Sequence, residues 1–395
     1  MTFRFDCAHI YMYYERMISR ILFETIKKSS KSILLLGPRQ TGKSTLVKGL
    51  NADLCLNLAD QEIFLDHTQN YGLLRNLIES SNAKKIFIDE VQRIPEILNT
   101  VQALIDENPH LKFYLTGSSA RKLKQGGANL LPGRVINYSL GPLIFKEVDY
   151  QISKDDVLYG YLPGVYAERN KNIKKDILNS YSANYISEEI KAEALVKNLP
   201  AFSRFLELSA SQMGQFVDYT KLAQRAKISR HQVPRYFEIF EDTMIGNRIF
   251  PDSEIIEKYD LVKHPKFYFF DVGIYNGLQK SYEPSPLHLG LLVEQLVYQQ
   301  LLHSASALKK NIKINSLRTR GGAEIDFWIH LNSKKIGLEV KATEKLIDDD
   351  VRNLVHFKKT EPTADFFLFH FGKNEQKKNG IWCLPIAMGF KEIGL

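Results

Sequence analysis

Residues Gly37 to Thr45 read GPRQTGKST, directly after the apolar run Ile33 to Leu36 and directly before the helix-like stretch Leu46 to Leu50. This is the GxxxxGK[ST] pattern, and its chemistry is phosphate binding. Glycines at Gly37 and Gly42 let backbone N–H groups of the loop, through Pro38, Arg39, Gln40 and Thr41, close around phosphate oxygens with no side chain in the way. The start of the following helix, with Ser44 and Thr45, adds partial positive charge. Lys43 would reach the β- and γ-phosphates, and the Ser44 hydroxyl would ligate Mg²⁺. Arg39 is a further candidate for phosphate contact, with a solvent-exposed role as its alternative.

A second segment, Lys85 to Gln92 (KIFIDEVQ), is a short apolar strand ending in two acids, the Walker B arrangement. Asp89 would hold the Mg²⁺ shell and Glu90 would polarise the attacking water as general base. Acids after a strand also cap helices, which is the competing explanation. A third strand, Lys112 to Thr116 (KFYLT), ends in Thr116, Gly117, Ser118 and Ser119. Ser118 or Thr116 would sense the γ-phosphate, or these hydroxyls cap a helix beginning near Ala120.

A second chemical constellation lies near the C-terminus. Ala323 to His330 (AEIDFWIH) and Ile336 to Ala342 (IGLEVKA) are strand-like and joined by turn residues Asn332 to Lys335. Side chains alternate along a strand, so Glu339 and Lys341 share a face, and a hairpin sets Asp326 beside Glu339. Two carboxylates and an amine placed so can hold Mg²⁺ and position a hydroxide for attack on a phosphodiester. Surface ion pairing explains an E-x-K strand equally well. Upstream, the amphipathic helix Leu289 to Leu301 has one acid, Glu294, interrupting its apolar surface.

Two resemblances follow. GPRQTGKST, IFIDEVQRIP, FYLTGSSARKL and LLPGRVINYSLGPLIFKEV, in that order, resemble the AAA-type ATPase domain of a widespread prokaryotic family of ATP-binding proteins, which usually carries a C-terminal domain of unknown function. The resemblance implies ATP and Mg²⁺ as cofactors. It also places Arg134, in the LxGR element, where a charge-stabilising arginine is expected. Acting across subunits, that arginine would need a homo-oligomer; otherwise it is a structural ion-pair residue. The order helix Glu294, strand Asp326, then Glu339-x-Lys341 resembles the PD-(D/E)XK nuclease superfamily. It implies Asp326 and Glu339 as metal ligands, Lys341 as the transition-state or water-positioning cation and Glu294 as an auxiliary acid. Arg318 and Arg320 would grip the backbone phosphate.

The elements that must position these groups are legible in pattern changes. From Ser19 to Val148, strands at Ile33 to Leu36, Leu54 to Leu58, Ile86 to Ile88, Phe113 to Leu115 and Val135 to Leu140 alternate with helical stretches, an α/β doubly wound signature. Asp155 to Gly214 reads as helical with a break at Pro163 and Gly164, and resembles the helical lid of the ATPase family. Asp218 to Ile245 suits a helix-turn-helix. Leu222, Ala223, Ala226, Ile228, Val233, Tyr236, Phe237 and Phe240 face its core, and its second helix starts near His231 because Pro234 fits only a first turn. Ser229, Arg230, His231, Gln232 and Arg235 would then be exposed toward phosphates and bases, unless the module only packs.

The expected organisation is an AAA-type P-loop domain (1–150), a helical lid (151–214), a winged-helix module (215–275) and an α/β restriction-endonuclease-like domain (276–395). The 395 residues suit two or three domains, and 44% hydrophobic with 25% charged residues is an ordinary globular composition. Cys7, Cys55 and Cys383 have no CxxC or zinc spacing, which argues against a disulfide framework and for a reducing cytoplasm. No run of eighteen apolar residues or signal-type h-region is present, so no membrane association is expected. The N-terminal stretch reads as a lead-in helix, with Met12 or Met17 as alternative starts. A net charge of +8 favours an acidic partner, of which nucleic acid is the commonest, and DNA is the expected one here. The expected activity is ATP hydrolysis coupled to DNA remodelling or cleavage, the alternative being a non-cleaving ATP-dependent switch that binds a protein partner.

Overall fold

A computed structural model describes residues 18–70, 72–118, 131–182 and 198–395. The lead-in before Ile18, Cys7, Ser119 and the helix expected near Ala120 lie outside the described residues. Two compact units divide the chain, one from the N-terminus to Gly141 with Asp242–Met244, the other Pro142–Glu241 with Ile245–Leu395.

The first unit holds five parallel strands, β1 (Ser32–Leu36), β2 (Leu54–Asn57), β3 (Lys85–Asp89), β4 (Lys112–Gly117) and β5 (Val135–Ser139), in the order β2-β3-β4-β1-β5. Each strand expected from the sequence is present within a residue or two at its ends. All five residues of β1 are buried, as a central parallel strand covered on both faces requires. Leu34 and Leu36 pack with Ile86, Phe113, Leu98 and Val101, whereas Ile33 and Leu35 pack with Phe87, Tyr114, Leu22 and Ile26. Alternation along one strand thus feeds two cores, each roofed by helices. Because β4 lies between β1 and β3, the end of β4 stands beside both the phosphate loop and Asp89, in the crevice where open α/β sheets bind ligands.

The second unit begins with helices Lys154–Tyr159, Pro163–Ala167, Lys171–Ser180 and Leu199–Ala210. Pro163 occupies the first turn of its helix, so the break falls just before it. Helices Tyr219–Ala226 and Gln232–Asp242 follow, then the antiparallel pair β6 (Gly246–Ile249) and β7 (Lys266–Phe269), with an isolated bridge from Phe216 to Lys266. Asp218 caps the first of these helices through the amides of Thr220 and Lys221. Phe202, Phe205, Tyr236, Phe237, Phe240 and Phe267 form one aromatic core. The residues assigned inward are buried, Ile228 only partly, and Arg230, His231 and Arg235 are exposed.

The long helix Pro286–Ala307 then packs against a six-stranded mixed sheet made of β8 (Ile312–Arg318), β9 (Glu324–Leu331), β10 (Lys334–Lys341), β11 (Asp365–His370), β12 (Gln376–Lys378) and β13 (Ile381–Pro385), ordered β12-β13-β11-β10-β9-β8. A two-residue turn with Asn332 at φ 53° joins β9 to β10. Helix Arg352–Thr360 lies in the crossover from β10 to its parallel neighbour β11. Within this unit three buried glutamines of the long helix bond backbone groups: Gln295 to Phe269, Gln299 to Val272, and Gln300 to Phe145 and Leu143. Each satisfies peptide groups that burial would otherwise strand.

Candidate functional sites

The phosphate loop is shaped by backbone approach. A Cβ at Gly37 would meet the carbonyl oxygen of Leu140 at 2.1 Å, because the chain leaving β5 crosses it. Gly42 sits at φ 89°, in the left-handed region, and the helix Lys43–Lys48 starts from it. Lys43 is buried and donates from Nζ to the carbonyls of Gly37 at 2.8 Å and Pro38 at 2.9 Å. Thr41 Oγ1 donates to the Pro38 carbonyl at 2.8 Å. Arg20, which the sequence reading missed, reaches from the start of the first described helix to the carbonyls of Thr41 at 2.7 Å and Gly141 at 2.9 Å. Arg39, Gln40 and Thr45 are exposed, and Ser44 is half-buried at the helix start.

Facing the loop, Asp89 is buried at the end of β3 and accepts from the hydroxyl of Thr116 at the end of β4. Glu90 adopts φ 60° as β3 turns into a short 3₁₀ turn. Gln92, also missed, donates from Nε2 to both the Glu90 carboxylate and, at 2.8 Å, Ser118 Oγ. Its Oε1 is buried without a hydrogen bond. Glu90 and Ser118 are therefore joined through one amide, although they come from different strands. These residues fit a nucleotide with Mg²⁺: a glycine cradle, a lysine, a helix start, a serine hydroxyl and two acids. Arg134 lies elsewhere in the unit and forms a two-pronged pair with Asp106, at 2.6 Å from Nε and 2.8 Å from Nη2. Both side chains of this pair are partly exposed.

In the second unit the ladder between β9 and β10 pairs as far as Leu338 with Phe327. One step beyond, Asp326 Oδ2 accepts the Val340 amide at 2.7 Å, and Glu339 Oε1 accepts from Lys341 Nζ at 2.8 Å. Glu294 projects from the long helix toward the same group. Its Oε1 accepts from Tyr268 Oη and lies 3.3 Å from Lys266 Nζ, which also pairs with Glu324 at 2.8 Å. Lys266, Tyr268 and Glu324 were not foreseen. A lysine at the start of a short strand has no sequence signal to distinguish it from a surface cation. Arg318 pairs weakly with Glu324 at 3.5 Å, and Arg320 with Asp260 at 3.4 Å.

Burial, then Glu339 and Glu294, push the Asp326 carboxyl well above its ordinary range. Burial also raises Glu339, against the opposing pull of Lys341. For Lys266 burial works the other way, but Glu294, Asp326 and Glu324 outweigh it and leave the ammonium raised. The carboxylate group is thus short of positive charge, and its hard oxygens fit a divalent cation at Asp326 and Glu339. Glu294, Asp326 and Glu339 do not form a ready three-oxygen cage. Among the described residues the three-ligand set within 4.8 Å is Asp252, Glu254 and His330. There Asp252 already accepts from Trp328 at 2.9 Å, His330 at 2.5 Å and the Glu254 amide at 3.0 Å, with Lys335 on Glu254 at 2.8 Å.

Comparison with known proteins divides the chain in three. Residues 29–149 match the model of an AAA domain, 151–285 a domain of unknown function (DUF8612) and 289–388 another (DUF4143). The matches support an AAA-type, nucleotide-binding ATPase domain followed by domains of unknown function. The chain is 27% identical over 320 residues to an uncharacterized protein of Mycobacterium tuberculosis, covering 79% of this chain and 70% of that one. An uncharacterized protein of Haemophilus influenzae is 25% identical over 355 residues, covering 84% and 85%. A replication initiator DnaA structure with AMPPCP and single-stranded DNA overlaps 56% of this chain and 85% of that one at 13% identity, but a TM-score of 0.27 carries no argument. No described helix is long and apolar enough to cross a membrane.

Proposed function

We propose that this protein is a Mg²⁺-dependent ATPase that binds DNA and couples hydrolysis to remodelling or cleaving it at the Asp326, Glu339 and Lys341 site. Bound Mg²⁺ would supply charge neutralisation at the nucleotide and a Lewis acid at the second site. Lys43 would bind phosphate, Ser44 and Asp89 would hold Mg²⁺, and Glu90, whose carboxylate Gln92 engages, would take the proton of the attacking water. At the second site Lys341 holds Glu339 and stabilises negative charge on the phosphodiester. The carrying observation is that Asp326 and Glu339 converge at the end of the β9–β10 ladder with Lys341 Nζ 2.8 Å from Glu339, burial raising the carboxyls of both acids.

The reading as an AAA-type domain, lid, winged helix and nuclease-like domain has support from topology. Helices Leu199–Ala210, Tyr219–Ala226 and Gln232–Asp242, the Phe216 bridge and the β6–β7 hairpin follow the order of a winged helix. Lys221, Arg225, Lys227, Arg230, His231 and Arg235 are all exposed there, a basic face suited to a phosphate backbone. A non-cleaving switch that binds a protein partner is the second reading, favoured by the engagement of Glu294 with Lys266 and Tyr268.

The test is Mg²⁺- or Mn²⁺-dependent cleavage of linear, branched and single-stranded DNA, with and without ATP, by the full chain and its Lys341→Ala and Glu90→Gln variants. Cleavage that is undiminished in Lys341→Ala sinks the nuclease assignment. Absence of salt-dependent DNA binding at low salt favours the protein-partner reading.

A further inference from the structure

The β6–β7 hairpin is joined by a loop, residues 250–265, of the kind that in a winged helix stands open and touches DNA beside the helices. Here it is sewn into the neighbouring sheet. Ile255 and Leu261 are buried with Leu317, Trp328, Leu354 and Phe357, and Ile256 and Tyr259 pack against the same core. Pro251 bridges to Ser316 and Leu261 to Thr319, and the Val262 amide donates to the Arg318 carbonyl at 2.8 Å. Asp252 accepts from Trp328 at 2.9 Å, Lys258 pairs with Glu361 at 2.5 Å and Lys335 with Glu254 at 2.8 Å. A loop with this many buried contacts has little freedom to enter a groove.

Charge divides the same way. Residues 250–265 carry four acids, Asp252, Glu254, Glu257 and Asp260, against two lysines, Lys258 and Lys263. Tyr219 to Arg235 carries five cations and no acid. Those cations, Lys221, Arg225, Lys227, Arg230 and Arg235, are all exposed, and none is in an ion pair among the described residues. The helix Leu199–Ala210 adds one more. Arg204 is exposed, and its Nε donates to the Ala226 carbonyl at 3.4 Å, at the end of the helix Tyr219–Ala226. The Tyr236 ring meets those of Phe202 and Phe205 edge-on. Burial pushes its hydroxyl up, and the charges of Arg235 and Arg204 both pull it down. The two arginines thus lie near one side chain although they come from different helices. One long bond to a carbonyl does not neutralise a guanidinium, so Arg204 keeps its charge and its fork of donors for a phosphate.

We propose that duplex DNA lies against Arg204 together with the helix-turn-helix cations from Lys221 to Arg235, and that the β6–β7 loop takes no part in binding. The proposal rests on reading this module as the DNA-binding one, and adds to it a contact from a third helix and an excluded loop. The loop's role is to fix the module on the sheet that carries Asp326.

Charge reversals of equal size test this in the full chain, with affinity for a duplex of about 20 base pairs followed by fluorescence anisotropy between about 50 and 200 mM salt. Arg204→Glu and Arg235→Glu are each expected to weaken binding about tenfold or more and to flatten the slope of log K against log salt by about one. Arg204→Lys and Arg235→Lys, which keep the charge, retain most of the affinity. Lys263 is the loop's exposed lysine without an ion pair among the described residues, and it sits between the backbone ties of Val262 to Arg318 and Pro265 to Val217. Lys263→Glu is expected to stay within about twofold of wild type. A loss in Lys263→Glu as large as in Arg235→Glu overturns the exclusion of the loop, and wild-type affinity in Arg204→Glu overturns the third-helix contact. A wild type without salt-dependent binding overturns the DNA reading of the module itself, a distinct failure.

Discussion

The phosphate loop and the carboxylate cluster are both charged sites at strand ends, yet they are held by opposite means. In the first, backbone does the holding: Gly37 lies against the Leu140 carbonyl, Gly42 turns the chain at φ 89°, and Lys43 and Arg20 tie to loop carbonyls. In the second, side chains hold side chains. Acids from β9, β10 and the long helix are kept together by Lys266, Lys341 and Tyr268. A backbone-held site is intact before any ligand arrives. A site built from like charges depends on its cations, and burial raises the carboxyls of Asp326 and Glu339 even against the pull of Lys266 and Lys341.

If the two sites are chemically separate, each breaks alone. Glu90→Gln is expected to lower ATP hydrolysis by about 10²- to 10⁴-fold, the range for loss of a general base, while nucleotide binding survives. Mn²⁺ binding at the second site stays unchanged in that variant. Asp326→Ala does the reverse, abolishing that Mn²⁺ site and leaving the basal ATPase rate as it was. Steady-state phosphate release and Mn²⁺ calorimetry on both variants check this. ATPase activity that is intact in Glu90→Gln removes the assigned base.

Asp271 shows what a buried acid does with dipoles and no cation. It is fully buried and accepts from the amides of Tyr161 at 2.8 Å, Gly273 at 2.8 Å and Ile274 at 3.3 Å, and from Gln299 at 3.3 Å. Burial nevertheless pushes it up to about 6, the four donors opposing. Its folded value exceeds its unfolded one, so the native state holds the extra proton between the two. The stabilisation this gives is fully present below about pH 4 and is lost as pH rises through about 6, on the order of 3 kcal/mol in all. Urea melts of wild type and Asp271→Asn from pH 4 to 7 should diverge by that amount, with wild type losing ground as pH rises. A flat difference means the helix cap, and not the proton, dominates.

The backbone-held character of the first site is tested by one methyl group. Gly37→Ala places a Cβ 2.1 Å from a carbonyl that cannot rotate away, so the loop or the β5 exit must move. The expected cost is about 1–3 kcal/mol of stability, read as a shift in denaturant midpoint, with weaker nucleotide binding. An unshifted midpoint would show that the crossing chain yields freely.

How much of each site could be read from the sequence follows from the same difference. The phosphate loop is nine consecutive residues whose demands are local, so strand, glycines, lysine and helix start appear in order. Asp326, Glu339 and Lys341 were legible because a hairpin has a fixed register, and Glu294 because an acid in an apolar helix stands out. Lys266 and Tyr268 were not, since nothing within five residues of KFYF marks a partner twenty-eight positions away at Glu294. Gln92 and Arg20 were missed for a related reason: each bonds across strands or to backbone, and neither belongs to a local motif. The sequence also separates lid, winged helix and nuclease-like segment, whereas everything from Pro142 on, Asp242–Met244 apart, folds as one compact unit.

Arg134 is the smallest expected effect and the one that bears most on assembly. An arginine working across subunits must be free to swing to a neighbour's nucleotide, but here its guanidinium is spent on both oxygens of Asp106. The pair raises the arginine and lowers the aspartate through their shared hydrogen bonds, and both groups stay at the surface, where such pairs add little to stability. Arg134→Ala should therefore leave the melting midpoint nearly unmoved and the ATPase rate within about twofold. Asp106→Ala should do likewise, leaving the arginine only its long bond from Nη1 to the Pro132 carbonyl at 3.3 Å. A trans-acting arginine predicts the opposite: a fall of about 10³-fold or more in Arg134→Ala, together with a specific activity that climbs with protein concentration. Assaying both variants across a hundredfold range of concentration separates a surface clasp from a catalytic residue held in reserve.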